Sequence, residues 1–231
     1  MRELSYWTSK RLVITVLVLN AIMIFLGYLD DNIFKHYGEY MAGTYISVIL
    51  LLLLGVTNFR IYRLRRSHLI WLLMAVGFVF LAYDDQFKFH EGLDRDIHRF
   101  FGMTQTPLTD RLDDFIIGAY AILGAGALYL ARAEIMRYKE LFGYLAIGFS
   151  VVAVSVVLDA ITNDRAVLEW MGLSEQAVST LKKMLGTIEE VCKLMAEAFF
   201  LAGFFEVLRR VKREQNVKAE ESMSADVSMA P

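Results

Sequence analysis

The sequence predicts an all-α, polytopic integral membrane protein of six transmembrane helices, and three observations carry that expectation. The 231 residues are 56% hydrophobic with only 2 prolines, and their mean hydropathy of +0.43 is too apolar for an ordinary soluble domain. Six apolar runs recur, at residues 12–29, 42–59, 69–82, 115–130, 141–158 and 191–208. Each approaches the roughly 20 residues that a helix needs to cross a ~30 Å hydrocarbon core, and lipid, which cannot hydrogen-bond a backbone, leaves no place for open strands among them. Finally, basic residues gather in alternate connections. They are Arg2, Lys10 and Arg11, then Arg60, Arg63, Arg65 and Arg66, then Arg132, Arg137 and Lys139, then Arg209, Arg210, Lys212 and Arg213. The positive-inside rule turns these four groups toward the cytoplasm, which predicts cytoplasmic termini and outer connections at 30–41, 83–114 and 159–190.

The first run follows three basic residues, as a signal peptide would, but its length and the lack of a small-residue cleavage site before Asp30 make it a retained helix. The second ends in the arginine group from Arg60. The third extends only ~22 Å from Leu69 to Tyr83, so the helix is expected to continue through Asp84 and Asp85, carrying both acids inside the membrane edge. Thr106 before Pro107 suits an N-cap for the fourth helix, with Asp110, Asp113 and Asp114 in its opening turns, where carboxylates are favoured. Gly118, Ala121, Gly124 and Ala125 give that helix small-residue spacing for close packing.

The fifth run ends at Asp159. For the sixth, counting back ~20 residues from Arg209 reaches Glu189 and Glu190, which puts Lys193 and Glu197 within the membrane. The chain from Lys212 turns polar and loses periodicity. It reads as a disordered cytoplasmic tail at 212–231, after a transmembrane domain at 1–211. The expected location is the plasma (inner) membrane. Cys192 is the only cysteine, so neither an internal disulfide nor a thiolate metal cage is available.

Acids thus collect at one membrane side on four helices, and a charge at membrane depth costs roughly 2.5–3.5 kcal/mol. Glu189, Lys193 and Glu197 recur every four residues on one helix face, which predicts that Lys193 pairs within its own helix. Asp84 and Lys88 share that spacing. After these pairings a surplus of carboxylates remains, and a cation is its natural partner. Asp84, Asp85, Glu190 and Glu91, seven residues beyond Asp84, supply oxygen, while His90 adds imidazole. His90, Asp94 and His98 fall along one side if the helix continues.

The first expectation for function is therefore a divalent-metal-dependent membrane enzyme, hydrolytic or lipid-modifying, whose site opens outward. Asp84, Asp85, His90, Glu91 and Glu190 are its candidate metal ligands, with Glu197, Lys193 and Asp159 as candidate catalytic groups. Membrane lipid is the expected partner, and nucleic acid is not. The second is a cation or proton transport protein in which Glu197 and Lys193 form a protonation switch below an acidic vestibule. The third is a non-catalytic sensor or assembly subunit. Familiar membrane-enzyme motifs are incomplete: Leu194 stands where a motif opening on Glu189-Glu190 needs arginine, and Gly148-Phe149-Ser150-Val151 lacks the final glycine of a GxSG nucleophile.

Overall fold

The computed structural model describes residues 2–38, 40–66, 68–102, 112–163 and 174–228, and every regular element among them is helical. The helices are α1 (Arg2–Leu29), α2 (Ala42–Leu64), α3 (Ile70–Phe87), α4 (Phe89–Phe101), α5 (Leu112–Leu130), α6 (Arg132–Ile135), α7 (Lys139–Asn163) and α8 (Glu175–Ser228). Four of them contain stretches long and apolar enough to cross a membrane: Ser9–Leu29, Ala42–Leu64, Ile70–Phe87 and Lys139–Asp159. Large apolar side chains such as Leu17, Phe25, Ile49, Leu53, Phe149 and Val156 point outward from these helices. Such a surface suits lipid rather than water, and the chain is a membrane protein.

The two remaining apolar runs fall short for different physical reasons. In α5 the run Phe115–Leu130 is simply short. In α8 the apolar stretch is interrupted by Lys193, Glu197 and Glu206, yet α8 is the axis on which α1, α2 and α7 pack. A helix enclosed by others needs no continuous apolar surface and tolerates charge that a lipid-facing helix does not.

Contacts along α8 fix the direction of its neighbours. Ser47 on α2 meets Glu197, and Leu64 on α2 meets Gln215, at nearly equal sequence separations of 150 and 151. The two helices therefore run parallel and in register for about 25 Å. Against α7 the order reverses, with Ser155 bonded to the Glu189 carbonyl and Glu140 paired with Arg210. Close approach depends on glycine: a Cβ at Gly203 would lie 2.8 Å from Tyr144 Cβ, and one at Gly55 would lie 2.8 Å from Val79 Cγ2 on α3. At Gly118 and Gly124 of α5 no such approach occurs among the described residues, where nothing lies within 4 Å of a Cβ built at either.

One end of the bundle gathers the basic groups. There the Glu134 carboxylate is buried at 5% exposure among Arg65 (2.7 Å), Trp71 Nε1 (3.1 Å), His68 (3.3 Å) and the Tyr138 hydroxyl (3.3 Å). Trp71 stands edge-on to Tyr138 and Phe204, so the α2–α3 hairpin and the turn between α6 and α7 close over α8 at this basic end. α8 then continues to Ser228. The segment from Lys212, where composition alone predicts disorder, extends an existing helix through Lys, Glu, Gln, Ala and Met, which are good helix formers.

Candidate functional site

The opposite end of the bundle holds the acids. α3 does continue through Asp84 and Asp85, and it stops at Phe87 because Lys88 turns left-handed at φ 53°. That break redirects the chain into α4, and Asp84 holds the junction. Its carboxylate, 5% exposed, accepts the His90 backbone N–H at 2.8 Å and faces the His90 Nδ1 at 2.7 Å. One carboxylate thus caps the first turn of α4 and fixes the imidazole beside it.

Asp85 points the other way, toward α8. Its Oδ1 receives Lys193 Nζ at 2.5 Å, and Glu190 stands 3.8 Å from the same ammonium. The Lys193 side chain remains 35% accessible. One turn deeper lies Glu197, 7% exposed. Its Oε1 accepts the Ser47 hydroxyl at 2.7 Å, while its Oε2 and Asp85 Oδ2 are buried without a hydrogen-bond partner among the described residues. The charges of Lys193, Asp85 and Glu190 all act on Glu197, so the four groups form one electrostatic unit spanning α2, α3 and α8.

Above this unit opens a cleft of about 310 Å³ lined by Phe34, Asp159, Lys182, Lys183, Glu189 and Glu190. The charge of Asp159 reaches Glu189 and Glu190, which sets the end of α7 into the same acidic region. The buried Tyr37, close enough to feel the Glu190 charge, donates to Asn20 Oδ1 at 2.9 Å, and burial, with that charge adding, pushes its hydroxyl up to about 12.

Several sequence expectations change at this point. Lys193 forms its ion pair across the bundle with Asp85 instead of with Glu197 on its own helix, since α3 offers a carboxylate at the same level. Glu91 does not join the deeper acids, because the break at Lys88 ends the helical count from Asp84. It pairs with Lys88 at 2.9 Å and Arg95 at 3.6 Å. His90, Asp94 and His98 do share the one helix α4, but their side chains take separate partners: His90 is held by Asp84, and His98 lies 2.8 Å from Asp94.

Among the described residues no three His, Cys, Asp or Glu side chains converge as a metal-ligand set. The reason is visible in the pairings, since Asp84 and Asp85 already hold His90 and Lys193. Thr106, Pro107 and Asp110 lie outside the described residues, as do the side chains of Asp113 and Asp114.

Ser47 was not legible as part of this site. A lone serine in an apolar helix has no pattern, and only the parallel register of α2 and α8 sets it against Glu197. Glu134 was hidden in another way, as an acid inside a basic connection.

A family model described as a domain of unknown function, DUF8692, matches residues 8–208. Those residues hold the cleft, the buried acids and all the helices that enclose them, and the chain belongs to this family. Comparisons with curated proteins and with solved structures return no match.

Proposed function

We propose that this DUF8692 member is a proton-handling membrane transport protein, in which Glu197 receives protons from the acidic cleft through Glu190, Lys193 and Asp85. The observation that supports this reading is Glu197 itself. It is a carboxyl at membrane depth with one oxygen held by Ser47 and the other unpartnered, one turn below an accessible Lys193. A buried carboxyl of this kind exists in either protonation state according to its neighbours, and the intramembrane ion pair beside it supplies the bias.

In this reading all six apolar runs cross the plasma (inner) membrane, with α5 and residues 189–208 of α8 joining the four long spans. The basic end and both termini face the cytoplasm, and the acidic cleft opens outward. Cysteines placed at Gly102 and Lys212 in a Cys192→Ser background test the orientation. Gly102 should react with an impermeant maleimide from outside, and Lys212 only after permeabilisation.

The metal-enzyme reading is weaker here, because two of its oxygen ligands are committed to His90 and Lys193. The transport reading is tested in proteoliposomes loaded with a pH-sensitive dye and given an imposed proton gradient. The wild-type chain should dissipate the gradient, and Glu197→Gln should not, while keeping its melting temperature. Equal rates for both would remove Glu197 from the pathway.

A further inference from the structure

The 13 residues of α4 extend ~20 Å, too short to cross a ~30 Å hydrocarbon core, and charged residues recur along them. They divide by face. At ~100° per residue, Phe89, Leu93, Ile97, Phe100 and Phe101 fall within an arc of ~120°, and the acids and arginines of α4 fall outside it. His90 is the one polar residue within that arc, and Asp84 holds its ring. No residue of α4 is buried, and Phe100 and Phe101 at its far end are 83% and 67% exposed.

Contacts at the start of α4 show what its apolar face continues. The apolar span of α3 ends at Phe87, and beyond the left-handed Lys88 the Phe89 ring packs back on that span, edge-on to Phe80 at 5.9 Å and beside Tyr83 at 6.4 Å. Tyr83 in turn meets Phe87 at 4.8 Å. All four rings are exposed, and they sit where an apolar span gives way to charge, the level at which aromatic side chains mark a membrane–water boundary. The apolar face of α4 is therefore continuous with the lipid-facing surface of α3.

From this continuity we infer that α4 is an interfacial helix, lying in the plane of the bilayer surface at the acidic end, with Phe89, Leu93, Ile97, Phe100 and Phe101 seated in lipid at the boundary between headgroups and acyl chains. A two-faced helix too short and too charged to span binds a membrane in this way. Its polar face carries Glu91, Asp94 and Asp96 against Arg95 and Arg99. No basic excess draws it to anionic headgroups, so apolar burial supplies the attraction and a zwitterionic bilayer suffices. Asp84, which accepts the His90 backbone N–H at 2.8 Å, fixes the start of α4 to α3, and the adjoining rings of Phe100 and Phe101, 5.1 Å apart, anchor its other end.

The inference rests on α3 as a membrane span and is independent of Glu197 and of any transport. Spin labels on Phe100→Cys and Arg95→Cys, each in a Cys192→Ser background of the full chain reconstituted in dioleoyl phosphatidylcholine vesicles, test it. Both positions are exposed, so the labels leave the packing intact. Oxygen partitions into lipid and a nickel chelate stays in water, and the ratio of their collision rates should be several-fold higher at Phe100 than at Arg95. Labels at Leu93→Cys and Arg99→Cys should repeat the contrast, and they replace the first pair if either of those proteins misfolds. Equal ratios on the two faces would overturn the proposal. So would a Phe100 label shielded from both reagents, since that result puts protein, from this chain or a second copy, over the apolar face.

Discussion

Lys193 on α8 reaches Asp85 on α3 at 2.5 Å, while Glu197, one turn away on the same helix face, is bonded instead to Ser47 on α2. The ion pair therefore ties α8 to the α2–α3 hairpin at the acidic end. Lys193→Met should leave Asp85 without the Lys193 countercharge and, among the described residues, with Oδ2 already unpartnered. The loss should stay below the ~3–5 kcal/mol of a fully enclosed pair, because a third of the Lys193 side chain is accessible. Adding Asp85→Asn should restore much of the melting temperature, whereas adding Glu197→Gln should restore less. Strictly additive losses for Lys193 and Asp85 would mean that the two do not interact.

Ser47 and Glu197 give a sharper separation of stability from function. The Ser47 hydroxyl is the hydrogen-bond donor to Glu197 Oε1, so Ser47→Ala should leave a buried carboxyl with both oxygens unsatisfied, at a cost of about 1–3 kcal/mol. Glu197→Gln retains an oxygen that accepts from Ser47 and should melt within a few degrees of the wild type. Thermal melting of both variants decides the matter. A Ser47→Ala protein as stable as the wild type would show that the bond contributes nothing.

The helices themselves were legible because membrane depth imposes length, and an apolar run of sufficient length has few alternatives to a helix. The helical placement of Asp84, Asp85 and Glu197 was legible for the same reason, and two of them are buried in the bundle. Partners were not. Helical spacing names the neighbours of Lys193 on α8, but the choice among them is made by the rotation of α3 and α8 about their axes, which no local pattern encodes. A single left-handed residue, Lys88, was enough to separate Glu91 from the acids that a continuous helix would have joined. The central place of α8 was hidden because enclosure by other helices relaxes the apolar signal that identifies a span.

At the basic end, Glu134 accepts from Arg65, Trp71 and Tyr138 and lies 3.3 Å from His68. Removal of this carboxylate leaves the Arg65 guanidinium, 16% accessible, and the Trp71 N–H without their shared acceptor. Glu134→Ala should therefore be among the most destabilising single substitutions in the chain, by about 3–5 kcal/mol. Glu134→Gln preserves an acceptor oxygen for Trp71 and should cost less. Denaturation in detergent ranks the two, and equal stabilities would show that the charge is immaterial.

Tyr138 adds a pH dependence to the same cluster. Burial, and then the charge of Glu134, holds its hydroxyl at about 12 against an ordinary value of 10.0, and Tyr37 at the acidic end is held equally high by burial and Glu190. Between pH 10 and 12 the folded chain thus keeps protons that the unfolded chain has released. Stability is fully present below pH 10 and falls as pH rises through that window. Tyr138→Phe removes the titration together with the hydrogen bond to Glu134. The variant should be less stable at pH 7 by about 1 kcal/mol, yet lose less stability between pH 10 and 12. Tyrosinate absorbance followed alongside helical circular dichroism measures both, and parallel pH profiles for wild type and variant would rule out Tyr138 as a source of alkaline unfolding.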